Sequence, residues 1–394
     1  MIVTLLQNYA DRFIGFLNRF SQSRFWIFKS ALLFAIISVF FAFPPYNHVI
    51  NNSIKFKNAT DWGGYHDIYT MVGKQIENPM MVVPAMEGRQ MEKRQFRLTM
   101  PVIGHILHTT PLGLIILQHV FGIFLFAVCI ALGARITNDR VLGLLIGLGF
   151  AFVYTGEACF VDLFPWFDGS AYLFLALAMW SRKPIFIFLF VLLAAYTDER
   201  ALMASAFVFT WWKMQETGNA GLNLKRILLP AKFTMAVLLA WGVYFTGRSI
   251  LSDHFGFLTH SGHMHGKDAA YTWTYQQFWF GILSSIKWFW VVIIAGFLLL
   301  FKQKKPGLVL FTLVPLMISL TAALLVHDVT KSAGYVFPLV FIFLFLFHQQ
   351  GETVRNLRYF MLIIVVLCFL MPSFNIYGGV PYLTKPVFIE WFND

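Results

Sequence analysis

Apolar runs separated by polar connections dominate the chain from residue 25 to residue 372. A helix needs about 20 apolar residues to cross the hydrocarbon core, and several of these runs reach that length. Because a backbone in lipid must satisfy its own hydrogen bonds, the runs predict helices. The pattern predicts an all-α fold, a polytopic transmembrane helical bundle with about eleven spans. The predicted apolar segments are 25–44, 102–134, 141–157, 166–181, 184–198, 200–213, 228–247, 277–301, 307–326, 334–349 and 358–372.

The polar connections differ in length and in charge on the two sides of this bundle. If the amino terminus is cytoplasmic, short connections such as 133–140 and 302–306 lie inside and are rich in Lys and Arg, as the positive-inside rule requires. The long connections then lie outside, and we expect short interfacial helices in the first of them. The expected organisation is one integral membrane domain, 1–394, with a cytoplasmic segment 1–24, a first outer loop 45–100 and a second outer loop 248–276.

The composition supports a membrane location and gives no indication of a nucleic-acid partner. The chain is 58% hydrophobic and 12% charged, whereas soluble domains are about 25% charged. Basic inner connections account for the net charge of +11, so the charge does not indicate nucleic acid. The three cysteines are scattered in or near apolar runs and indicate neither a metal site nor a disulfide framework. The first apolar run lacks a small-residue cleavage pattern, so we expect a retained span rather than a signal peptide.

Acidic residues concentrate on the predicted outer side, where most of the 19 Asp and Glu fall. Acidic residues contribute little to topology, so this asymmetry is independent of the basic loops. Charges beside apolar segments are costly in hydrocarbon and are usually paired or functional. We therefore expect a shared polar cavity at the outer rim. Its candidate residues are His66, Asp67, Glu157, Asp162, Asp168, Asp198 and Glu199.

The stretch DWGGYHDIY in the first outer loop supplies Asp61 as a candidate general base. A carboxylate near the lipid boundary is partly shielded from water, which moves its pKa towards the range in which it accepts a proton. The alternative interpretation is that Asp61 caps the helix-like stretch that follows it.

Two arginines precede the next apolar segment, in the stretch EKRQFRLTMP. The forked donors of a guanidinium match phosphate oxygens, so Arg94 and Arg97 at this depth predict binding to the phosphate of a lipid-linked ligand. Anchoring of a helix end at the interface is the alternative interpretation.

The second outer loop contains the run HSGHMHG, which supplies His260, His263 and His265. We assign these residues, together with Asp328 of the later stretch HDVTKSAGYVFP, to an acceptor site or to a lid that closes over substrate. Several histidines close together can also hold a metal ion, and that alternative stays open.

Several of these stretches together resemble the GT-C superfamily of membrane glycosyltransferases. The likeness lies in the large outer loop that opens with an Asp motif, and in the stretches RQFRLTMP, FPWFD, YTDERAL and HDVTKSAGYVFP. By topology the likeness covers most of the chain. It implies a transferase that takes a sugar from a polyprenyl-phosphate donor and passes it to a glycan or lipid acceptor on the extracytoplasmic face. Presentation of such donors at the bacterial inner membrane makes that membrane, and envelope polysaccharide, the expected setting.

The resemblance also implies roles for single residues. Asp61 would remove the proton from the acceptor hydroxyl, and Arg97, Arg200 and Lys331 would hold the donor phosphate together with Arg94. A phosphate leaving group needs cations and the acceptor needs a base, which agrees with the residue types. Because polyprenyl phosphate is a good leaving group, we expect no required cofactor, with a divalent metal as the alternative.

Three other functions compete with a transferase of this kind. Transporters or flippases of lipid-linked sugars usually show internal repeats and ionisable groups near the bilayer midplane, and this sequence shows no repeat. A polysaccharide polymerase or ligase would rely on Arg and His rather than on Asp. A structural membrane subunit would tolerate substitution of its outer charges.

Overall fold

A computed structural model of the chain describes residues 2–42, 44, 46, 66–82, 94–217, 231–257, 278–324, 328–377 and 380–384. The described part is almost wholly helical. The amino-terminal helices are α1 (Ile2–Ser21), α2 (Trp26–Ala42), α3 (His66–Glu77) and α4 (Thr99–Ile106). The central helices are α5 (Pro111–Thr137), α6 (Arg140–Phe150), α7 (Tyr154–Val161), α8 (Asp168–Trp180), α9 (Pro184–Thr197) and α10 (Glu199–Thr217).

The carboxy-terminal half continues in the same way and ends in a hairpin. Its helices are α11 (Lys232–Phe255), α12 (Phe278–Ile286), α13 (Phe289–Lys302), α14 (Pro306–Leu324), α15 (Val329–Gly334), α16 (Pro338–Gln349) and α17 (Val354–Leu370). Strands β1 (Ser373–Tyr377) and β2 (Val380–Thr384) pair antiparallel, with Ser373 opposite Thr384. Apart from this short hairpin, the described part agrees with the expected all-α fold. The sequence signal of the hairpin is a Gly-Gly pair between two segments with β-forming residues, which is typical of a tight turn.

Four described helices are long and apolar enough to cross a membrane. They are Pro111–Thr137, Lys232–Phe255, Pro306–Leu324 and the continuous stretch Val329–Gln349. Two bent pairs, α6 with α7 and α12 with α13, raise the number to six if each pair is one span. Such helices are typical of an integral membrane protein. Each predicted apolar segment overlaps at least one helix, but the count of about eleven spans stays a prediction.

Local sequence signals set the helix ends where α5 meets α6. Pro111 occupies the first turn of α5, and the Thr110 side chain accepts a hydrogen bond from the backbone N–H of Gly113 at 3.3 Å. Asn138 ends α5 in the left-handed conformation. Asp139 then caps α6 by accepting from the N–H of Leu142 at 2.8 Å.

Close packing around α5 and α16 organises the bundle. Helices α2, α6 and α8 pack on α5, while the stretch Val329–Gln349 is almost wholly buried. A Cβ atom on Gly143 of α6 would lie 2.6 Å from the carbonyl oxygen of Ile130 in α5, so only glycine permits this approach. Small residues at such contacts let apolar helices pack through their backbones.

A polar cluster at the meeting point of five helix ends

Five helix ends bring acidic and basic side chains together. Asp162 directly follows α7, Asp168 begins α8, and Asp198 lies between α9 and α10. The charged residues of this ionic cluster are Arg97, Asp162, Asp168, Asp198, Glu199, Arg200, Asp328 and Lys331. Because helix ends present polar backbone groups, they are where charges can stay inside an apolar bundle at least cost.

Arg97 connects the segment before α4 to the junction of α9 and α10. Its Nε and Nη2 donate to the two carboxylate oxygens of Glu199, each at 3.1 Å. Its Nη1 lies 2.9 Å from Oδ2 of Asp198. This fork geometry fixes the position of the guanidinium between two carboxylates.

Arg200 carries the contacts further into the bundle. Its Nε and Nη2 donate to Asp198 at 2.8 and 2.6 Å, and Nη2 also donates to Oδ1 of Asp168 at 2.6 Å. Its Nη1 donates to the hydroxyl of Ser332 at 2.9 Å. The Tyr335 hydroxyl donates to the same Asp168 oxygen at 3.3 Å. Arg200 therefore joins α8, α10 and α15 through one side chain.

Lys331 in α15 lies among three carboxylates. Its Nζ is 3.3 Å from Oδ1 of Asp162, 3.4 Å from Oδ2 of Asp328 and 3.9 Å from Oδ2 of Asp168. The hydroxyl of Tyr172 donates to the Lys331 backbone carbonyl at 2.8 Å, which holds the turn in place. The cluster thus contains five carboxylates and three cations.

The surroundings move the acidic pKa values in opposite directions. Burial raises the pKa of Asp162 to about 7; Lys331 opposes this shift, and Asp168 and Asp328 add to it. Burial likewise raises the pKa of Asp328. Although burial acts against it, the pairing with Arg200 and Arg97 holds the pKa of Asp198 below its ordinary value. Asp198 is therefore a fixed negative charge, and Asp162 is the carboxyl that exchanges a proton near neutral pH.

Three carboxylate oxygens of the cluster accept no hydrogen bond from the described residues. They are Oδ2 of Asp162, Oδ2 of Asp168 and Oδ1 of Asp328, and all three atoms are buried. The buried hydroxyl of Tyr154 likewise has no partner within the described ranges, and its interactions with Asp162 and Asp168 place it beside them. Buried acceptors without donors are costly, so this point suits a ligand that brings hydroxyl or N–H donors.

A small, partly open cleft with a volume of about 20 Å³ lies beside the cluster. Arg94, Arg97 and Trp166 line it. The guanidinium of Arg94 lies over the Trp166 ring, and Arg97 Cζ and Lys331 Nζ are each 5.7 Å from the ring centroid. Phe167, which follows Trp166, has a positive φ of 62° and directs the chain into α8. Three cations therefore surround one aromatic side chain at the cleft.

Most of the predicted site residues in the described ranges meet in this one place. Arg94 lies at the cleft, and the other members form the ionic cluster. Glu157 is separate: it accepts a 2.7 Å hydrogen bond from the hydroxyl of Ser373, which in turn accepts one from Nζ of Lys287 at 2.9 Å. The predicted residues Asp61, His260, His263 and His265 lie outside the described residues, as do the side chains of His66 and Asp67, with which α3 begins.

Sequence reasoning missed Trp166, Tyr335 and the pair Lys287 and Ser373. Trp166 lies inside the quoted stretch FPWFD, two residues from Asp168, but its local sequence does not distinguish it from the many other aromatic residues of the chain. Lys287 is a lone charge in the apolar segment 277–301, and such a charge is a signal of a functional or paired residue.

The described residues contain no group of three or more His, Cys, Asp or Glu side chains arranged to hold a metal ion. The expectation that no metal is required stays a prediction. The chain matches no protein-family model, and neither the curated proteins nor the solved structures contain a significant match to it.

Proposed function

We propose that the chain is a membrane glycosyltransferase that moves a sugar from a polyprenyl-phosphate donor to an acceptor hydroxyl on the extracytoplasmic face. In this reaction a carboxylate takes the proton of the acceptor hydroxyl, whose oxygen then bonds to the anomeric carbon of the sugar. The bond from that carbon to the phosphate oxygen breaks, and polyprenyl phosphate leaves. A glycan or a lipid is the proposed acceptor, and the resemblance to the GT-C superfamily is part of the case.

The ionic cluster and its adjoining cleft are the observation that carries this proposal. Unpartnered oxygens of Asp162, Asp168 and Asp328 can accept hydrogen bonds from the hydroxyl groups of a sugar. The cleft beside them contains an aromatic ring and cations. A site of this kind offers acceptors for a sugar and positive charge for a phosphate within one small region.

The phosphate fits best beside Trp166, where three cationic side chains approach the ring. Arg97 and Lys331 both have carboxylate partners, which reduces the positive charge that they present. A donor phosphate would therefore bind cations that are already paired with Asp198 and Asp162. We propose that Arg94 and Arg97 at the cleft make the first contact, because the guanidinium fork matches phosphate oxygens.

Two carboxylates are proposed as the base. Asp61 is the residue that the sequence favours, and it lies outside the described residues. Asp162 is the described alternative, because its Oδ2 accepts no bond from the described residues and its pKa of about 7 lets it take up a proton near neutral pH.

The test uses purified protein in proteoliposomes, labelled polyprenyl-phosphate sugars as donors and an envelope extract as acceptor. We expect Asp61→Asn or Asp162→Asn to slow transfer by about 10²–10⁴-fold while the donor still binds, since one of them removes the base. Asp253→Asn is the matched control, because Asp253 is exposed and its carboxylate accepts a hydrogen bond from the nearby hydroxyl of Ser249. Normal turnover in both test variants would show that neither Asp61 nor Asp162 is the base. Absence of transfer by the wild-type protein from every donor would contradict the proposed glycosyltransferase activity.

Transport of a lipid-linked sugar is the second candidate, and the bent helix pairs favour it. Helices α6 and α7 meet at 57°, and α12 and α13 meet at 91°. Lys287 lies in the second break, Glu157 lies in the first turn of α7 after the first break, and Ser373 bridges the two side chains. Broken helices with buried ionisable groups are common in transporters.

A translocation assay separates the two candidates. A fluorescent polyprenyl-phosphate sugar is placed in the inner leaflet of proteoliposomes, and its arrival in the outer leaflet is followed by quenching. Movement of intact lipid that stops in Glu157→Gln and continues in Asp253→Asn would favour transport. Release of the sugar without movement of the lipid would favour the transferase. A polymerase or ligase that relies on the histidine run stays an alternative, because His260, His263 and His265 lie outside the described residues.

A further inference from the structure

The amino-terminal helix α1 has two apolar faces, and only one of them is covered by the protein. On the covered side, Leu17 is buried and Ile14 packs against the bundle core, where α1 meets α6 and α17. The hydroxyl of Tyr359 donates to Asp11, and Arg140 donates to the backbone carbonyl of Ser21 at 3.1 Å. These contacts fix the rotation of α1 about its own axis.

The second apolar face points away from the bundle. Leu5, Tyr9, Phe13 and Phe16 are between 36% and 61% exposed. At about 100° per residue, these four positions fall within an arc of about 80°. They form one continuous stripe along about three turns of a helix that is otherwise only weakly hydrophobic. This is the pattern of a helix that lies in the plane of a membrane surface.

Basic residues border this stripe. Arg12 and Arg19 are exposed and fall on its edge by the same helical spacing. Arg24 lies in the four-residue turn before α2, with its Cζ 4.7 Å from the ring centroid of Phe25, and Lys29 is exposed in the first turn of α2. Asp11, the one acidic residue of α1, points to Tyr359 instead. The edge of the stripe is therefore cationic.

Exposed apolar side chains also follow α1 along the chain, in the turn before α2 and in α2 itself. Phe25 is 64% exposed, Phe28 is 59% exposed, and Leu32, Ile36 and Phe40 follow on that helix. Helix α2 is apolar and is predicted to be the first span. A helix that lies on a membrane surface and leads directly into a span would place both sets of exposed apolar side chains against lipid.

We propose that α1 binds the surface of an anionic phospholipid bilayer, with the Leu5–Phe16 stripe at the acyl boundary and Arg12 and Arg19 on the headgroup phosphates. In this position the membrane would remove the apolar surface of the four large side chains from water, which favours binding. Each arginine adds about 1 kcal/mol of attraction to an anionic surface, equivalent to roughly fivefold in binding. This inference is independent of the proposed chemistry at the ionic cluster.

The depth test uses the full chain in lipid nanodiscs and spin labels on introduced cysteines. Phe16→Cys places a label on the stripe, and Asn18→Cys places one on the exposed opposite side of the same turn. The native Cys129, Cys159 and Cys368 are buried, and wild type treated with the label gives the background. We expect the label at 16 to contact dissolved oxygen more than a water-soluble nickel complex, and the label at 18 to show the reverse.

The headgroup test compares nanodiscs of phosphatidylcholine with nanodiscs that contain phosphatidylglycerol. We expect native mass spectrometry to show retained phosphatidylglycerol on wild type, and the double variant Arg12→Ala with Arg19→Ala to lower this preference on the order of 30-fold. Arg182→Ala removes an exposed cation away from α1 and is the control.

Three outcomes would overturn the inference. Equal nickel access at positions 16 and 18 would place the stripe in water. Spin–spin broadening between labels at 16 would show that a second copy covers it instead. An unchanged phosphatidylglycerol preference in the double arginine variant would remove the headgroup assignment.

Discussion

The ionic cluster and the ion pair of Asp139 with Arg358 both consist of carboxylates and basic side chains, but the hydrogen bonding of their carboxylates differs. Arg358 donates from Nε to Oδ1 of Asp139 at 3.1 Å and from Nη2 to Oδ2, and the first oxygen also caps α6. Both oxygens of that carboxylate have donors. In the cluster, by contrast, five carboxylates share three cations, and oxygens of Asp162 and Asp168 lack donors among the described residues.

This difference in hydrogen bonding distinguishes carboxylates that hold helices together from carboxylates that can take part in a reaction. A carboxylate with every oxygen paired has a fixed charge and a fixed position, so it can join helices but has no capacity for a substrate. A buried carboxylate with an open oxygen and a raised pKa can accept a proton or a hydrogen bond. Asp139 precedes α6 and Asp162 follows α7, so the two arrangements lie at opposite ends of one bent helix pair.

The largest effect is expected from Lys331→Met, which leaves three carboxylates around an uncharged side chain. Removing one partner of a buried ion pair costs about 3–5 kcal/mol. We expect a marked drop in the thermal unfolding temperature, measured in detergent by fluorescence-detected size exclusion. Lys302→Met, at an exposed helix end, is the control and should unfold as wild type does. Equal stability of the two variants would show that Lys331 does not neutralise the cluster.

The bridge from Glu157 through Ser373 to Lys287 should give the next largest effect. Glu157→Gln or Lys287→Met alone leaves a buried charge without its counterpart, at a cost on the order of 3 kcal/mol. The double variant should lose less than the two single losses added together, because it leaves no unpaired charge. A double-mutant cycle of unfolding temperatures measures this coupling, and strict additivity would mean that the two charges do not interact.

The pH dependence of stability tests Asp162 directly. Its folded pKa of about 7 exceeds its unfolded value, so the folded state binds more protons and stability should fall as pH rises from about 4 to about 7. Asp162→Asn should remove only part of that decline, because the pKa of Asp328 is also raised and its ionisation likewise lowers stability as pH rises. Asp198 stays ionised in this window because its pKa is lowered. Unfolding temperatures at several pH values provide the measurement, and an identical slope in the variant would contradict the assignment.

The smallest effect is expected from Arg358→Gln. Its partner Asp139 keeps its role as the cap of α6, and the guanidinium is 26% exposed, so the loss should be about 1 kcal/mol or less. Transfer or transport should be unchanged. Asp139→Ala should cost more than Arg358→Gln, because it removes the cap as well as the pair. The same thermal assay compares the two variants. A larger loss in Arg358→Gln than in Asp139→Ala would contradict a stabilising role of Asp139 as the cap of α6.

Sequence patterns located the helices better than the site. The apolar segment 102–134 predicted a helix, and the structure divides it into the greater part of α4 and the longer helix α5, which begins at Pro111. The stretches around Asp162, Asp168, Asp198 and Lys331 were recognised as unusual charges beside apolar runs, and the structure brings those charges together. Trp166 was not predicted, because an aromatic residue in an aromatic-rich chain has no local sequence feature that distinguishes it from a lipid-facing one.

The sequence by itself determined that the chain forms apolar helices and that its charges collect at their ends, because hydropathy and helix signals act over a few neighbouring residues. Tertiary structure decided which charges meet. Arg97 reaches Glu199 across 102 residues, and Lys331 reaches Asp162 across 169. Such partners depend on how helices pack and where each one stops, and that packing also decided that Glu157 joins Lys287 and Ser373 while Asp162, five residues later, faces the ionic cluster.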